Sequence, residues 1–384
     1  MRKFLQITLT LCLLLLVAEL CFAGYMIYRE ANTTISEDSQ AQAGIPMTTV
    51  PEAVAPETSD ATTAPPTTEP PQPEYFTLTF TGDFTPGCMP GQFENPKAYV
   101  GTVGDDYEFP FAHMRTYFED DDFTFINLEV VLGVGIGRQA NKTFVFSGPE
   151  EYAQIMTSSS VEAVTLANNH SEDFGIEGYE NTKRVLEDYG IPYVEKKSTT
   201  IYTTESGLTI GLYADCFNFS QTDIEQNIAY LWDQGVDIVI CAFHWGPEGI
   251  YQPNDKQIRY GKAAIDAGAT LVVGNHPHVL QPIVEYNGGL IYYSLGNFSF
   301  GGNDHPKDYD SAIIRQQIIR ESDGTIRIGE TQIVPIAISS VSDRNNYQPI
   351  PYPEDSEGYA RVLEKLNGTY SGPNVTPGYD YSKE

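Results

Sequence analysis

Thr270-Leu271-Val272-Val273-Gly274-Asn275-His276-Pro277-His278 begins with aliphatic residues and ends in two histidines. The β-branched run predicts a short buried strand over Thr270–Val273. In extended backbone, side chains two positions apart point the same way, so His276 and His278 would share one face. Pro277 biases His276 away from helix. The strand therefore delivers two imidazoles just past its C-terminal end.

The same pattern recurs upstream. Val236–Phe243 is almost wholly apolar, as in a strand buried on both faces, and stops at His244. Val161–Leu166 runs into Ala167-Asn168-Asn169-His170, and Phe123–Ile126 into Asn127-Leu128-Glu129. Phe76, Leu78 and Phe80 alternate with threonines in a strand ending at Gly82-Asp83. Helices are expected over Ile176–Tyr189 and Asp255–Ala267. Hairpin turns are expected at Ser206-Gly207, Asn287-Gly288 and Asp323-Gly324. Strands alternating with helices give an α/β domain with added antiparallel pairs.

Asp83, Glu129, Asn169, His244, His276 and His278 thus all follow strand ends. In open α/β sheets that edge is where ligands bind. Imidazole, carboxylate and amide oxygen together suit Zn, Mn or Fe better than Ca or Mg. The set is large enough for one or two divalent ions, with Asp83 or Glu129 bridging. His170, beside Asn169, is then free to act as a proton donor. Asn127, Glu248 and Asn297 are hydrogen-bonding candidates around that set, for orienting ligands or contacting substrate. Asp173 is expected to cap the helix that follows it. Asp83 with Glu129 could instead be a glycosidase acid pair, but that leaves three strand-end histidines unexplained.

Composition narrows the partners. The 384 residues carry 52 acidic and 22 basic side chains, a formal charge of −30. Such a surface repels phosphate backbones, which argues against nucleic-acid binding. It also repels polyanionic polymers unless a bound cation creates a local positive site. The cysteines beyond the N-terminus, Cys88, Cys216 and Cys241, are odd in number and give no disulfide framework.

Four segments are expected. Residues 1–28 contain Arg2 and Lys3 before an apolar run from Phe4 to Tyr28. At about 1.5 Å per residue that run covers a hydrocarbon core of about 30 Å. It reads as an uncleaved transmembrane helix rather than a signal peptide, placing the remainder outside a single-pass cell membrane. Residues 29–74 form a disordered spacer: from residue 31 on it holds eight Pro, nine Thr and seven acids, with no Lys, Arg or aromatic residue. Its reach is roughly 40 Å as a coil and about 130 Å as polyproline II. Residues 75–336 are the α/β domain. Residues 337–384, rich in Pro, Tyr and acids, have no readable role.

The ordered motifs carry a resemblance. Gly82-Asp83, Asn127-Leu128-Glu129, Ala167-Asn168-Asn169-His170, Asp173-Phe174-Gly175, His244-Trp245-Gly246-Pro247-Glu248, His276-Pro277-His278 and Ser294-Leu295-Gly296-Asn297-Phe298 resemble the CapA family of poly-γ-glutamate capsule biosynthesis proteins. That family is related to calcineurin-like metallophosphoesterases. The resemblance implies a four-layer α/β/β/α sandwich with a dinuclear metal site between the sheets. It maps metal-ligand positions onto Asp83, Glu129, Asn169, His244, His276 and His278, and the catalytic histidine onto His170. It implies a metal-dependent hydrolase serving an anionic surface polymer, poly-γ-glutamate, alongside membrane capsule synthase subunits. A non-catalytic scaffold or export component of such a synthase is the alternative. The chain departs from the pattern at Thr85, where metallophosphoesterases continue Asp-x-His, and at Gly249, where CapA sequences usually have an aromatic.

Overall fold

The structure, a computed structural model, describes residues 72–373. The expected membrane span, the spacer up to residue 71 and residues 374–384 lie outside the described residues. Among the described residues, no helix is long and apolar enough to cross a membrane.

Sixteen strands are described, most of them in two mixed sheets. The first sheet contains β1 (Glu74–Thr85), β2 (Phe123–Leu128), β5 (Ala163–Thr165), β6 (Tyr193–Val194), β14 (Asp310–Arg320), β15 (Ile326–Ala337) and β16 (Ile350–Pro351). Their order is β16-β15-β14-β1-β2-β5-β6, with β13 (Asn297–Phe300) also paired to β1. The second sheet contains β7 (Ser198–Thr203), β8 (Thr209–Cys216), β9 (Ile238–His244), β10 (Leu271–Asn275), β11 (Leu280–Tyr286) and β12 (Gly289–Leu295), in the order β11-β12-β10-β9-β8-β7. A short parallel pair, β3 (Val131–Leu132) with β4 (Ser147–Gly148), stands apart. Both sheets have parallel centres, β1-β2-β5 in the first and β8-β9-β10 in the second, so their C-terminal ends form common edges.

Period-2 alternation sorts the side chains into layers. Phe76, Leu78 and Phe80 of β1 meet Ile238, Ile240, Leu271 and Val273 in a core shared by the two sheets. Ile126 and Leu128 point the other way, toward Val185 and Leu186 of the helix Gly175–Asp188. On the far side, Val239, Cys241 and Val272 pack on Ile228 and Leu231 of the helix Gln221–Asp233, and on Ala264 and Ile265 of the helix Asp255–Asp266. The layers run helices, sheet, sheet, helices. The second and third of these helices begin at capping boxes, Ser220 with Asp223 and Asn254 with Gln257.

The hairpins turn at Gly207, Asn287-Gly288 and Gly324, where the backbone takes positive φ. The strand expected over Val161–Leu166 is shorter, Ala163–Thr165. The chain after Ile336 has a definite place. The helix Glu357–Leu366 lies against β11 of one sheet and β14 and β15 of the other. Its Val362 and Leu366 enter the core between the sheets. Its buried Lys365 donates at 2.7 Å to both Asp308 and Asp310, and Arg361 grips Asp310 with two bonds. The three free cysteines among the described residues are all buried.

Candidate metal centre

Parallel register brings the strand ends together. Asp83 of β1 lies beside Asn127 of β2 on one flank and Asn297 of β13 on the other. Gly82 makes the β13 approach possible, because a Cβ there would collide with the carbonyl of Gly296. Asp83 N can then donate to that carbonyl at 2.8 Å. In the second sheet Cys216, His244 and Asn275 end β8, β9 and β10 side by side.

All six expected ligand residues lie at this junction. Ligand atoms of Glu129, His244 and His276 lie within 4.8 Å of one another, and so do those of Asp83, Glu129 and His278. Glu129 belongs to both groups. The Nε2 atom of His244 is 2.6 Å from Asn169 Oδ1, 3.1 Å from His276 Nδ1 and 3.4 Å from Glu129 Oε1. His278 Nδ1 is 3.1 Å from Asp83 Oδ2 and 2.9 Å from Asn297 Oδ1. Asn127 donates to Asp83 Oδ1 at 2.8 Å and accepts from Asn168 at 3.1 Å. Glu248 is exposed, with its carboxylate near His276 and His278.

One expectation fails in its reasoning. His276 and His278 are not extended; their φ angles are +96° and +56°. Such angles are uncommon for residues other than glycine and cluster where a site fixes the backbone. The turn sends His276 toward His244, with ring centroids 4.8 Å apart, and His278 toward Asp83. The two imidazoles therefore turn toward different partners, although ring nitrogens of both lie within 4.8 Å of a Glu248 carboxylate oxygen.

Asp173 is also placed differently from expectation. The N-cap of the helix Gly175–Asp188 is Phe174, with no side-chain cap. Asp173 is buried, its Oδ2 2.6 Å from His170 Nδ1 and accepting from Phe146 N at 2.7 Å. Its Oδ1 accepts from Lys142 Nζ at 2.5 Å, and the same ammonium donates to Asn169 O at 2.6 Å. The opposite ring nitrogen of His170, Nε2, is 3.9 Å from Glu129 Oε1. The i,i+3 spacing of His170 and Asp173 was a signal for this pair. Nothing local pointed to Lys142.

Burial sets the protonation of the cluster. It pushes the Glu129 carboxyl up to about 8, helped by the negative charge of Asp83. It lowers His244 to about 3 and, with neighbouring imidazoles, His276 to about 2. For His278, burial is outweighed by the hydrogen bond to Asp83 and the charge of Glu129, which raise it to about 9. Burial also opposes ionisation of Asp83, but its bond to His278 holds it below the usual carboxylate range.

The donors fit a divalent cation. Glu129 is fully buried, yet neither carboxylate oxygen has a hydrogen-bond partner. An unpaired buried polar atom costs about 1–3 kcal/mol, more for a charged group, so native structures rarely keep one without a further function. The imidazoles and desolvated carboxylate around it are the mixed N/O set expected of Zn, Mn or Fe.

Residues 77–302 match the family described as "Bacterial capsule synthesis protein PGA_cap". The chain belongs to this family. This PGA_cap region spans Asp83 to Asn297 and so contains every residue of the cluster. The chain is 30% identical to "PGA biosynthesis protein CapA" of Bacillus subtilis over 60% of its own length and 63% of that protein's, so it spans a little under two thirds of that relative. It is 28% identical to "Capsule biosynthesis protein CapA" of Bacillus anthracis over 76% of this chain and 74% of that one. Among solved structures, it is similar to the NAD nucleotidase NadN of Haemophilus influenzae, with TM-score 0.41 and 11% identity, over 80% of this chain and 57% of that one.

Proposed function

We propose that this PGA_cap protein is a membrane-anchored, extracellular, metal-dependent hydrolase of metallophosphoesterase type, serving biosynthesis or release of an anionic surface polymer. Its relatives' names point to a capsule polymer, and the resemblance of its motifs points to poly-γ-glutamate as that polymer. The observation that carries the hydrolase reading is buried Glu129, whose unpartnered oxygens face the imidazoles of two ligand groups.

Asp83, Glu129, Asn169, His244, His276 and His278 would hold one or two divalent ions. A cation there supplies Lewis-acid polarisation and offsets the repulsion between a polyanion and this acidic surface. Asn127 and Asn297 fix Asp83 and His278 by hydrogen bonds. His170 is anchored through Nδ1 to Asp173, which leaves Nε2 on the Glu129 side to donate a proton to a leaving group. The buried Phe146 ring, 4.6 Å from the His170 ring, limits water on that flank. Membrane subunits of a capsule synthase are the partners this role requires, reached through the anchor at 1–28.

The test is turnover. The full chain, stripped with chelator and reloaded with Zn or Mn, is offered a panel of ester and amide substrates. Hydrolysis restored by metal supports the reading; no hydrolysis of any class overturns it. A second reading, a non-catalytic scaffold or export component that uses metal structurally, draws on Thr85, which puts a hydroxyl where metallophosphoesterases have an imidazole. Surface-polymer production that survives His170→Ala would favour the scaffold.

A further inference from the structure

The two ligand groups differ in how open they are to solvent. Around His244, the protein offers Glu129, His276 and the Asn169 amide oxygen, four donors in all with His244 itself. Around half-buried His278 it offers Asp83, Glu129 and, 2.9 Å from Nδ1, the Asn297 amide oxygen. A catalytic ion commonly has three protein ligands and keeps a further position for water, substrate or another side chain. Thr85 offers a neutral, fully buried hydroxyl in place of an imidazole.

A carboxylate on a different loop stands close by. Trp245 N donates to Asn275 O at 3.0 Å, and Gly249 N donates to Pro277 O at 2.8 Å. These two backbone bonds flank Glu248 and fasten its segment onto the His276-Pro277-His278 turn. A carboxylate oxygen of Glu248 and ring nitrogens of His276 and His278 lie within 4.8 Å of one another. The loop that carries Glu248 also carries His244 at the end of β9, so one rigid connection spans both groups.

We infer that Glu248 is a direct metal ligand, joining His276 and His278 on the solvent side of the cluster. This rests on the metal reading above and replaces the hydrogen-bonding role expected of Glu248 with coordination. The assignment makes chemical sense of its exposure. A ligand reaching in from solvent sits on the open side of the cluster, so the ion it holds faces arriving substrate. The His244 group, by contrast, is enclosed.

The experiment titrates Mn²⁺ into chelator-stripped full-length protein by calorimetry, with metal content measured after desalting. Wild type, Glu248→Gln, Glu248→Asp and His244→Ala are compared, and far-UV circular dichroism checks each fold. We expect Glu248→Gln to weaken one binding step at least tenfold and leave the other within twofold. His244→Ala should weaken the opposite step, and Glu248→Asp should fall between Glu248→Gln and wild type. If wild type takes up a single ion, a tenfold loss in Glu248→Gln supports the inference and a smaller loss overturns it. Glu248→Gln matching wild type at every step overturns the inference alone and leaves the metal reading standing. A wild-type chain that takes up neither Mn²⁺ nor Zn²⁺ overturns both.

Discussion

Asp173 Oδ2 lies 2.6 Å from His170 Nδ1, and the same carboxylate is held by Lys142 and by the amide of Phe146. A buried acid with three donors around it is a fixed point. It orients the imidazole without contacting the ligand groups.

His170→Ala should therefore keep the fold and most of its metal while losing hydrolysis by about 10²–10⁴, the usual worth of a positioned proton donor. Asp173→Asn should lose at least about tenfold in rate through misorientation, and should also destabilise the protein by about 1–3 kcal/mol as Lys142 loses its charged partner. Steady-state rates, metal analysis and thermal melts separate these effects. Wild-type turnover of every metal-dependent substrate by His170→Ala would end the catalytic assignment.

The His276→Ala, His278→Ala double variant removes one imidazole from each of two groups and should lose most bound metal. Wild type should gain about 2.7 kcal/mol of stability from metal at a hundred times its dissociation constant, and the double variant little of that. Thermal melts with and without Zn or Mn check this. Equal stabilisation of both chains would remove the site.

Protonation of the cluster gives a pH dependence whose sign can be worked out. Glu129 is raised from 4.5 to about 8, so its contribution favours the metal-free fold fully below 4.5 and is lost as pH rises through about 8. His278, raised from 6.5 to about 9, contributes below 6.5 and loses that contribution through about 9. His244 and His276, lowered from 6.5, act in the opposite sense below about pH 6.5, so the metal-free protein should lose stability through this cluster between about pH 6.5 and 9. A metal ion competes with the same protons, so the rise in Tm on adding metal should be larger at pH 8.5 than at pH 6. A rise equal at both would contradict the assignment of Glu129 and His278 as ligands.

The C-terminal helix should contribute to stability as a core element. Leu366→Ala should cost about 2–5 kcal/mol by opening a cavity between the sheets. Asp310→Asn removes one of the two carboxylates that hold buried Lys365, and the partner of Arg361, and should cost about 1–3 kcal/mol. Denaturant melts measure both. Changes under half a kcal/mol would mean that the helix is dispensable.

The N-terminal expectation is tested by fractionation. The mature protein should keep Met1–Tyr28 and sediment with membranes, because the apolar run is long enough to span and the cleavage site is poor. Gly24 as the mature N-terminus would sink it.

Much of the site's chemistry was already legible along the chain. Apolar runs of strand length, each followed by a carboxylate, amide or imidazole, identify both the strands and the polar residues at their ends. That information is local, because period-2 burial and turn residues act over a few positions. The partners of those residues are a different matter. Asp173 reads locally as a helix cap, and it became the anchor of His170 only because the loop carrying Lys142 and Phe146 folds back over it. His276 and His278 read as an extended pair, and the contacts of two ligand groups hold their backbone at positive φ instead. Val362 and Leu366 sit in a polar tail that suggests no role, but a gap between β11 and β14 gave them a core to enter. Residue types and their order were determined by the sequence. Which groups lose their water, and so which carboxylate is pushed up to about 8, was decided by tertiary packing, because desolvation depends on everything that surrounds a side chain and not on its neighbours in the chain.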